Sequence, residues 1–187
     1  MNLIDHYAMK TAKAIRKHYP EAASEKILFY ALSLSFNTLL AFFTALFVCY
    51  LTDHLFYGII SIVCFVGLRY LSGGVHLHSS LACCIFTIIL IISSSHITFN
   101  YHVYGIFMDM FSLIIMILKS PQGLQNVSRI NTKYYPLLKI SCVAFVSINF
   151  FAQSPMLSTI FLTQSITLTN TAYKLVHIFE RRWLNEN

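Results

Sequence analysis

Apolar residues in this chain come in long runs broken by short polar stretches. The pattern is neither the alternation of a half-buried strand nor the one-sided stripe of a soluble helix. Six runs stand out, at residues 28–51, 55–68 (extended by Tyr70 and Leu71), 81–99, 103–118, 137–152 and 156–178. A membrane-spanning helix needs about 20 predominantly apolar residues, so each run predicts one span. Several runs are near the lower limit of length, which predicts local thinning of the bilayer or a tilted, partly re-entrant helix. Residues 119–136, which hold Pro121, Gly123 and Pro136, predict the largest connection.

Ahead of the spans, residues 1–26 predict an amphipathic helix lying on the membrane surface. Leu3, Ile4, Tyr7, Ala8, Thr11, Ala14 and Ile15 recur at helical spacing, Lys10, Lys13, Arg16 and Lys17 lie largely opposite, and Pro20 ends the segment. Anionic lipid headgroups would attract the basic face; the competing reading is a solvated pre-membrane segment. The chain thus divides into an interfacial helix over 1–26 and a transmembrane helical domain over 27–187. No internal repeat or low-complexity tract interrupts it.

Composition agrees with the pattern. Of 187 residues, 57% are apolar and only 11% charged, where a soluble domain carries roughly 25% charged residues. That deficit excludes a soluble globular enzyme, a disordered chain and a nucleic-acid-binding domain. The expected fold class is an all-α integral membrane protein of about six transmembrane helices.

The net charge of +6 matters less than its placement. Lys10, Lys13, Arg16, Lys17 and Lys26 precede the first span, Arg69 lies near the end of the second, Lys119, Arg129, Lys133 and Lys139 fall around the large connection, and Lys174, Arg181 and Arg182 come last. The breaks at 52–54, 100–102 and 153–154 contain no Lys or Arg. By the positive-inside rule this alternation places both termini in the cytoplasm of a multi-pass protein. The polar, basic opening residues are also unlike a cleavable signal peptide.

The five cysteines, Cys49, Cys64, Cys83, Cys84 and Cys142, do not form the framework of a small secreted domain. Cys49, Cys64 and Cys142 sit inside apolar runs and read as packed thiols.

One segment concentrates polar chemistry at the inner membrane face. Residues 69–84 hold Arg69, Gly73, Gly74, His76, His78, Ser79, Ser80, Cys83 and Cys84, in a chain where polar groups at membrane depth are costly. On one continuous helix His76 and Cys83 would share a face but stand ~10 Å apart along the axis, too far for a hydrogen bond. The paired glycines permit a break, after which Ser79 can cap a new helix. Cys83 then lies in or just beyond its first turn, where the helix dipole favours negative charge, and His76 on the preceding loop can fold back toward it. A thiol beside an imidazole suits nucleophilic acyl transfer. Other readings remain open: an interfacial histidine with a packed thiol, or a metal site using His76, His78 and Cys83 or Cys84. Asp109, the carboxylate predicted at membrane depth, is a candidate third group that orients His76, a partner of His96 or Arg69, or a hydrogen-bonding residue of the bundle. Ser79 and Ser80 read either as caps or as flanking the oxyanion site.

The run Arg69-x4-Gly74-x-His76-x6-Cys83, with serines between His and Cys, resembles the signature of the AgrB (accessory gene regulator B) family of quorum-sensing peptide processors. The six predicted spans, the basic amphipathic N-terminal helix and the length resemble that family as well. The resemblance implies a cysteine endopeptidase of the bacterial plasma membrane, its site at the cytoplasmic face, that matures a small AgrD-like propeptide. It implies His76 and Cys83 as catalytic residues, with Arg69 and Gly74 supporting the site. Pro121 matches a family proline in the second inner loop, although Gln122-Gly123-Leu124 replaces a more polar stretch there. The implied reaction is cleavage near the propeptide's C-terminal side through a Cys thioester, followed by thiolactone or lactone closure. It requires no cofactor and no metal, and its partners are the propeptide and membrane lipids; a homodimer suits so small a bundle, though no residue demands one. The alternatives from other classes are a small metal-handling transporter using His76, His78 and Cys83 or Cys84, and a non-catalytic scaffold packed through Gly73 and Gly74.

Overall fold

The computed structural model describes residues 3–75, 80–123 and 131–185. All regular structure among the described residues is helical. The helices are α1 (Leu3–His18), α2 (Glu25–Leu51), α3 (Leu55–Ser72), α4 (Ser80–His96), α5 (Ile106–Lys119), α6 (Tyr135–Ser147), α7 (Asn149–Ala152), α8 (Pro155–Thr167) and α9 (Asn170–Asn185). A π-helical turn at Tyr101–Gly105 leads into α5, and a 3₁₀ turn at Thr132–Tyr134 leads into α6.

Among the described residues, four helical stretches are long and apolar enough to cross a membrane: Glu25–Leu51, Leu55–Ser72, Tyr101–Lys119 and Thr132–Ala152. Large apolar side chains on them face outward, among them Phe43, Phe56, Phe107 and Phe151, as a lipid-facing surface requires. The other two expected spans differ. The third apolar run ends at His96 rather than Phe99, leaving an apolar helix of 17 residues. The sixth, expected as one span over 156–178, is two helices. α8 has 13 residues, about 20 Å of helix against a hydrocarbon core of about 30 Å. The interruption has a tertiary cause. The Thr167 carbonyl accepts from the Val75 amide at 3.1 Å instead of continuing the helical ladder, and the amides of Leu168 and Thr169 tighten back onto Ser165 and Ile166.

α1 packs across α2 and also meets α4. Its inward face is made by Ala8 and Ala12, both fully buried, while Tyr7 is exposed; the Ser33 hydroxyl of α2 donates to Asp5 at 3.0 Å. α2 buries Ser33, Asn37, Ala41, Ala45 and Cys49, one residue per turn. Small residues along such a stripe let neighbouring helices approach closely. The apolar centre of the bundle is formed by Leu68, Met116, Val146, Ile160 and Phe161.

The helices alternate in direction, so α3, α5 and α8 end at the same end of the bundle, where residues 72–75, Gln122 and Thr167 exchange hydrogen bonds. Lys26, Arg69 and Lys119 belong to this end. At the other end the His54 and His96 rings stack 4.2 Å apart, and His96 Nε2 is 2.8 Å from the Thr52 hydroxyl.

Candidate functional site

α3 stops where the sequence supplies two glycines. Gly73 has φ 74° and Gly74 φ 120°, conformations that side-chain-bearing residues adopt only with strain. The freed backbone is paired across the fold. The Gly74 amide donates to the Gln122 carbonyl at 2.9 Å, and the Gln122 amide donates to the Ser72 carbonyl at 3.0 Å. Gln164 of α8, fully buried, donates to the Gly73 carbonyl at 2.7 Å and to the Ser72 hydroxyl at 2.9 Å. The turn is thus held from both sides, by the residue after Pro121 and by α8.

Arg69 completes the clamp. Its Nη2 donates to the Val75 carbonyl and its Nη1 to the Thr167 hydroxyl at 3.4 Å. Val75 is therefore held at its carbonyl by Arg69 and at its amide by Thr167. Gly74 lies inside this clamp. A Cβ there would stand 2.7 Å from Thr167 Oγ1 and 2.9 Å from Arg69 Nη1, so glycine is required for space as well as for φ. Tyr173 of α9 approaches the same region, its hydroxyl 2.8 Å from where a Gly123 Cβ would sit. Burial raises the Tyr173 phenol above its ordinary pKa, and the Arg69 guanidinium pulls the other way.

Cys83 is the fourth residue of α4. It is half-buried and lines a cavity of about 480 Å³ together with Arg69 and Val75. Arg69 is close enough for its charge to act on the sulfur. The main-chain carbonyl of Cys83 accepts from the Thr87 hydroxyl at 2.9 Å. Cys84, one residue on, turns away from the cavity into the bundle and is 2% exposed. The two sulfurs of the doublet thus have different surroundings, and only Cys83 opens onto the space beside Arg69.

The structure brings together Arg69, Gly74 and Cys83, with Pro121 leading into the strand-like pairing of Gln122 with Gly73. His76, His78 and Ser79 lie outside the described residues. Ser80 opens α4. Asp109, which the sequence offers as a support for the site, belongs to the opposite end. It is fully buried, and its Oδ2 accepts from the Tyr101 hydroxyl and from the Asn149 amide, each at 2.8 Å. It lies 10 residues, about 15 Å of helix, before the Lys119 end of α5. It is a bundle residue, joined through Asn149 to Ser158 at 2.9 Å, and it does not line the Cys83 cavity.

Three residues of this region escape a reading of motifs: Asn37, Gln164 and Thr167. Their signal was compositional, since polar side chains inside apolar helices need a reason to be there. Nothing in the local sequence tells which of them reaches residues 69–83.

The chain matches the family described as AgrB, accessory gene regulator B, over residues 8–178. No curated protein and no solved structure matches it.

Proposed function

The chain belongs to the accessory gene regulator B family of quorum-sensing membrane proteins that take part in propeptide processing, and from that premise we propose that it is a multi-pass cysteine endopeptidase of the plasma membrane with Cys83 as nucleophile and His76 as its base. The observation that carries this reading is that Cys83, unlike Cys84, opens onto a cavity beside Arg69 and Val75. Val75 immediately precedes His76, and its amide and carbonyl are both tied down. The clustering of basic residues at that end of the bundle supports a cytoplasmic site with both termini on the same side.

In this mechanism His76 takes the Cys83 proton as the sulfur attacks the scissile carbonyl of a small AgrD-like propeptide. The main-chain amides of residues 79–81, at a helix start, are the proposed donors to the oxyanion. Collapse breaks the C–N bond, and the C-terminal fragment leaves as an amine carrying the proton from His76. The remaining thioester is attacked by a Cys or Ser side chain of the same propeptide. His76 accepts that nucleophile's proton and returns it to the Cys83 sulfur, closing a thiolactone or lactone. An internal nucleophile outruns water because its effective concentration is high. Arg69 and Gly74 act as positioning residues, holding the turn before His76.

The test is co-expression of a propeptide with wild type, Cys83→Ala, Cys84→Ala and His76→Ala, with cleavage and ring closure followed by mass spectrometry. Loss with Cys83→Ala and His76→Ala but not with Cys84→Ala is expected. Loss with Cys84→Ala alone would move the nucleophile by one residue, and survival of cleavage in all three would remove the cysteine mechanism.

A further inference from the structure

The cavity beside Cys83 is far larger than a thiol needs. Its 480 Å³ falls in the range of small-ligand sites. Leu34 and Phe42 of α2, Phe65 and Val66 of α3, Phe86 of α4 and Ile166 of α8 make its walls apolar. The threonine hydroxyls on the wall are engaged: Thr38 donates to the Leu34 carbonyl at 2.8 Å, Thr87 to the Cys83 carbonyl at 2.9 Å, Thr163 to the Thr159 carbonyl at 2.8 Å, and Thr167 to the Gln164 carbonyl at 2.7 Å. Arg69 is engaged with Thr167 and Val75.

Asn37 is different. It lines the cavity, is only 4% exposed, and its Oδ1 has no hydrogen-bond partner among the described residues. A buried acceptor left unmade is unfavourable, and packing does not require it. The same stripe of α2 uses Ala41 and Ala45 for close approach, so alanine at 37 would serve the helix contact as well.

Resting on the endopeptidase reading above, we infer that this cavity is the subsite for the acyl half of the substrate: it seats an apolar side chain on the residue that carries the scissile carbonyl, and Asn37 Oδ1 accepts a main-chain N–H of the same peptide. Apolar walls with no uncommitted cation among the described lining residues disfavour a charged side chain in this space. The acyl half must stay anchored and dry while its internal nucleophile closes the ring, and an apolar pocket provides both. A lipid tail would fill the same volume but brings no N–H for Asn37.

The experiment uses the purified full-length protein in liposomes and three probes: acetyl-Ala-Ala-Phe, acetyl-Ala-Ala-Leu and acetyl-Ala-Ala-Asp chloromethyl ketones. The cysteine sulfur displaces chloride and a thioether forms. Labelling at Cys83 is read by peptide mass spectrometry, and each rate is divided by that of iodoacetamide, which has no side chain to seat. The Phe and Leu ratios are expected to exceed the Asp ratio by at least about tenfold, and Asn37→Leu to lower the Phe ratio by about tenfold, the scale of one lost hydrogen bond. Phe86→Trp, which fills the cavity from α4, should lower the Phe ratio as well and serves if Asn37→Leu does not fold. Equal ratios for the Phe and Asp probes overturn the subsite. If they come with phospholipid that copurifies with wild type and is lost in Phe86→Trp, the cavity belongs to a lipid tail. An Asn37→Leu protein in which iodoacetamide and peptidyl rates fall together overturns the role of Asn37. Failure of the endopeptidase reading shows separately, as a propeptide still processed by Cys83→Ala.

Discussion

The side-chain amide of Gln164 on α8 donates to the main-chain carbonyl of Gly73 at 2.7 Å, across 91 residues of sequence. That bond, with its companion to the Ser72 hydroxyl, joins α8 to the turn that follows α3. Gln164→Leu keeps the bulk and leaves the carbonyl only the long bond from the Ser72 hydroxyl at 3.4 Å, which should lower stability by about 1–3 kcal/mol. Because the turn leads directly to Val75, propeptide processing per folded molecule should also fall. Thermal unfolding in detergent and the co-expression assay separate the two effects. Unchanged processing would show that the turn holds without α8.

Gly74 and Gly67 make a matched pair for substitution. At Gly74 an added Cβ meets Thr167 Oγ1 and Arg69 Nη1 under 3.0 Å and φ is 120°, while at Gly67 the nearest atom is Phe145 Cζ at 3.9 Å. Gly74→Ala should reduce processing by about 10²-fold, the usual scale for a displacement of ~1 Å at a reacting centre. Gly67→Ala should be neutral or add up to about 1 kcal/mol through helix propensity. Equal effects of the two changes would show that the clamp around Gly74 is slack.

Arg69 bridges Thr167 and Val75 with two different nitrogens. Lysine keeps the charge but cannot reproduce the fork. Arg69→Lys should therefore lose processing by about 10-fold to 100-fold while Cys83 still reacts faster with an anionic methanethiosulfonate than with a cationic one. Arg69→Gln should lose that charge preference as well. If Arg69→Lys processes normally, the guanidinium contributes charge alone.

Asp109 should behave as a structural residue. Asp109→Leu removes the acceptor of the Tyr101 hydroxyl, and one stranded donor costs about 1–3 kcal/mol. Asn149 retains its contacts to the Ser158 hydroxyl and the Ser154 carbonyl. Tm in detergent should fall, and processing per folded molecule should stay within about twofold of wild type, given about 15 Å of helix between Asp109 and the Lys119 end of α5. A 100-fold loss of processing at unchanged Tm would restore Asp109 to the chemistry.

The outline of the fold was legible because it depends on composition and length. Runs of apolar residues cannot be solvated, their breaks mark the ends of helices, and the basic residues mark one side. Four of the expected spans stand as helices of spanning length. The sixth failed as a single helix because its break depends on Val75, which takes the Thr167 carbonyl out of the helical ladder from 92 residues away. No apolar count over 156–178 contains that information.

The site divides in the same manner. Spacing alone placed a glycine break before a helix start and set Cys83 in the opening turns of that helix, since helical geometry is local. Which sulfur of the doublet meets the cavity was not local. Cys83 and Cys84 have the same neighbours in sequence, and they differ only because α2, α3 and α8 pack on different sides of α4. Asp109 shows the converse. Its charge at membrane depth left a catalytic role and hydrogen bonding within the bundle both open, and tertiary structure supplied Tyr101 and Asn149 as partners. The sequence by itself therefore determined a helical membrane chain with one polar, glycine-broken segment at its basic end, because burial of apolar surface and backbone freedom are properties of single segments. The tertiary structure decided which polar side chains face that segment, because a hydrogen bond in an apolar interior goes to whichever partner packing brings within 3 Å.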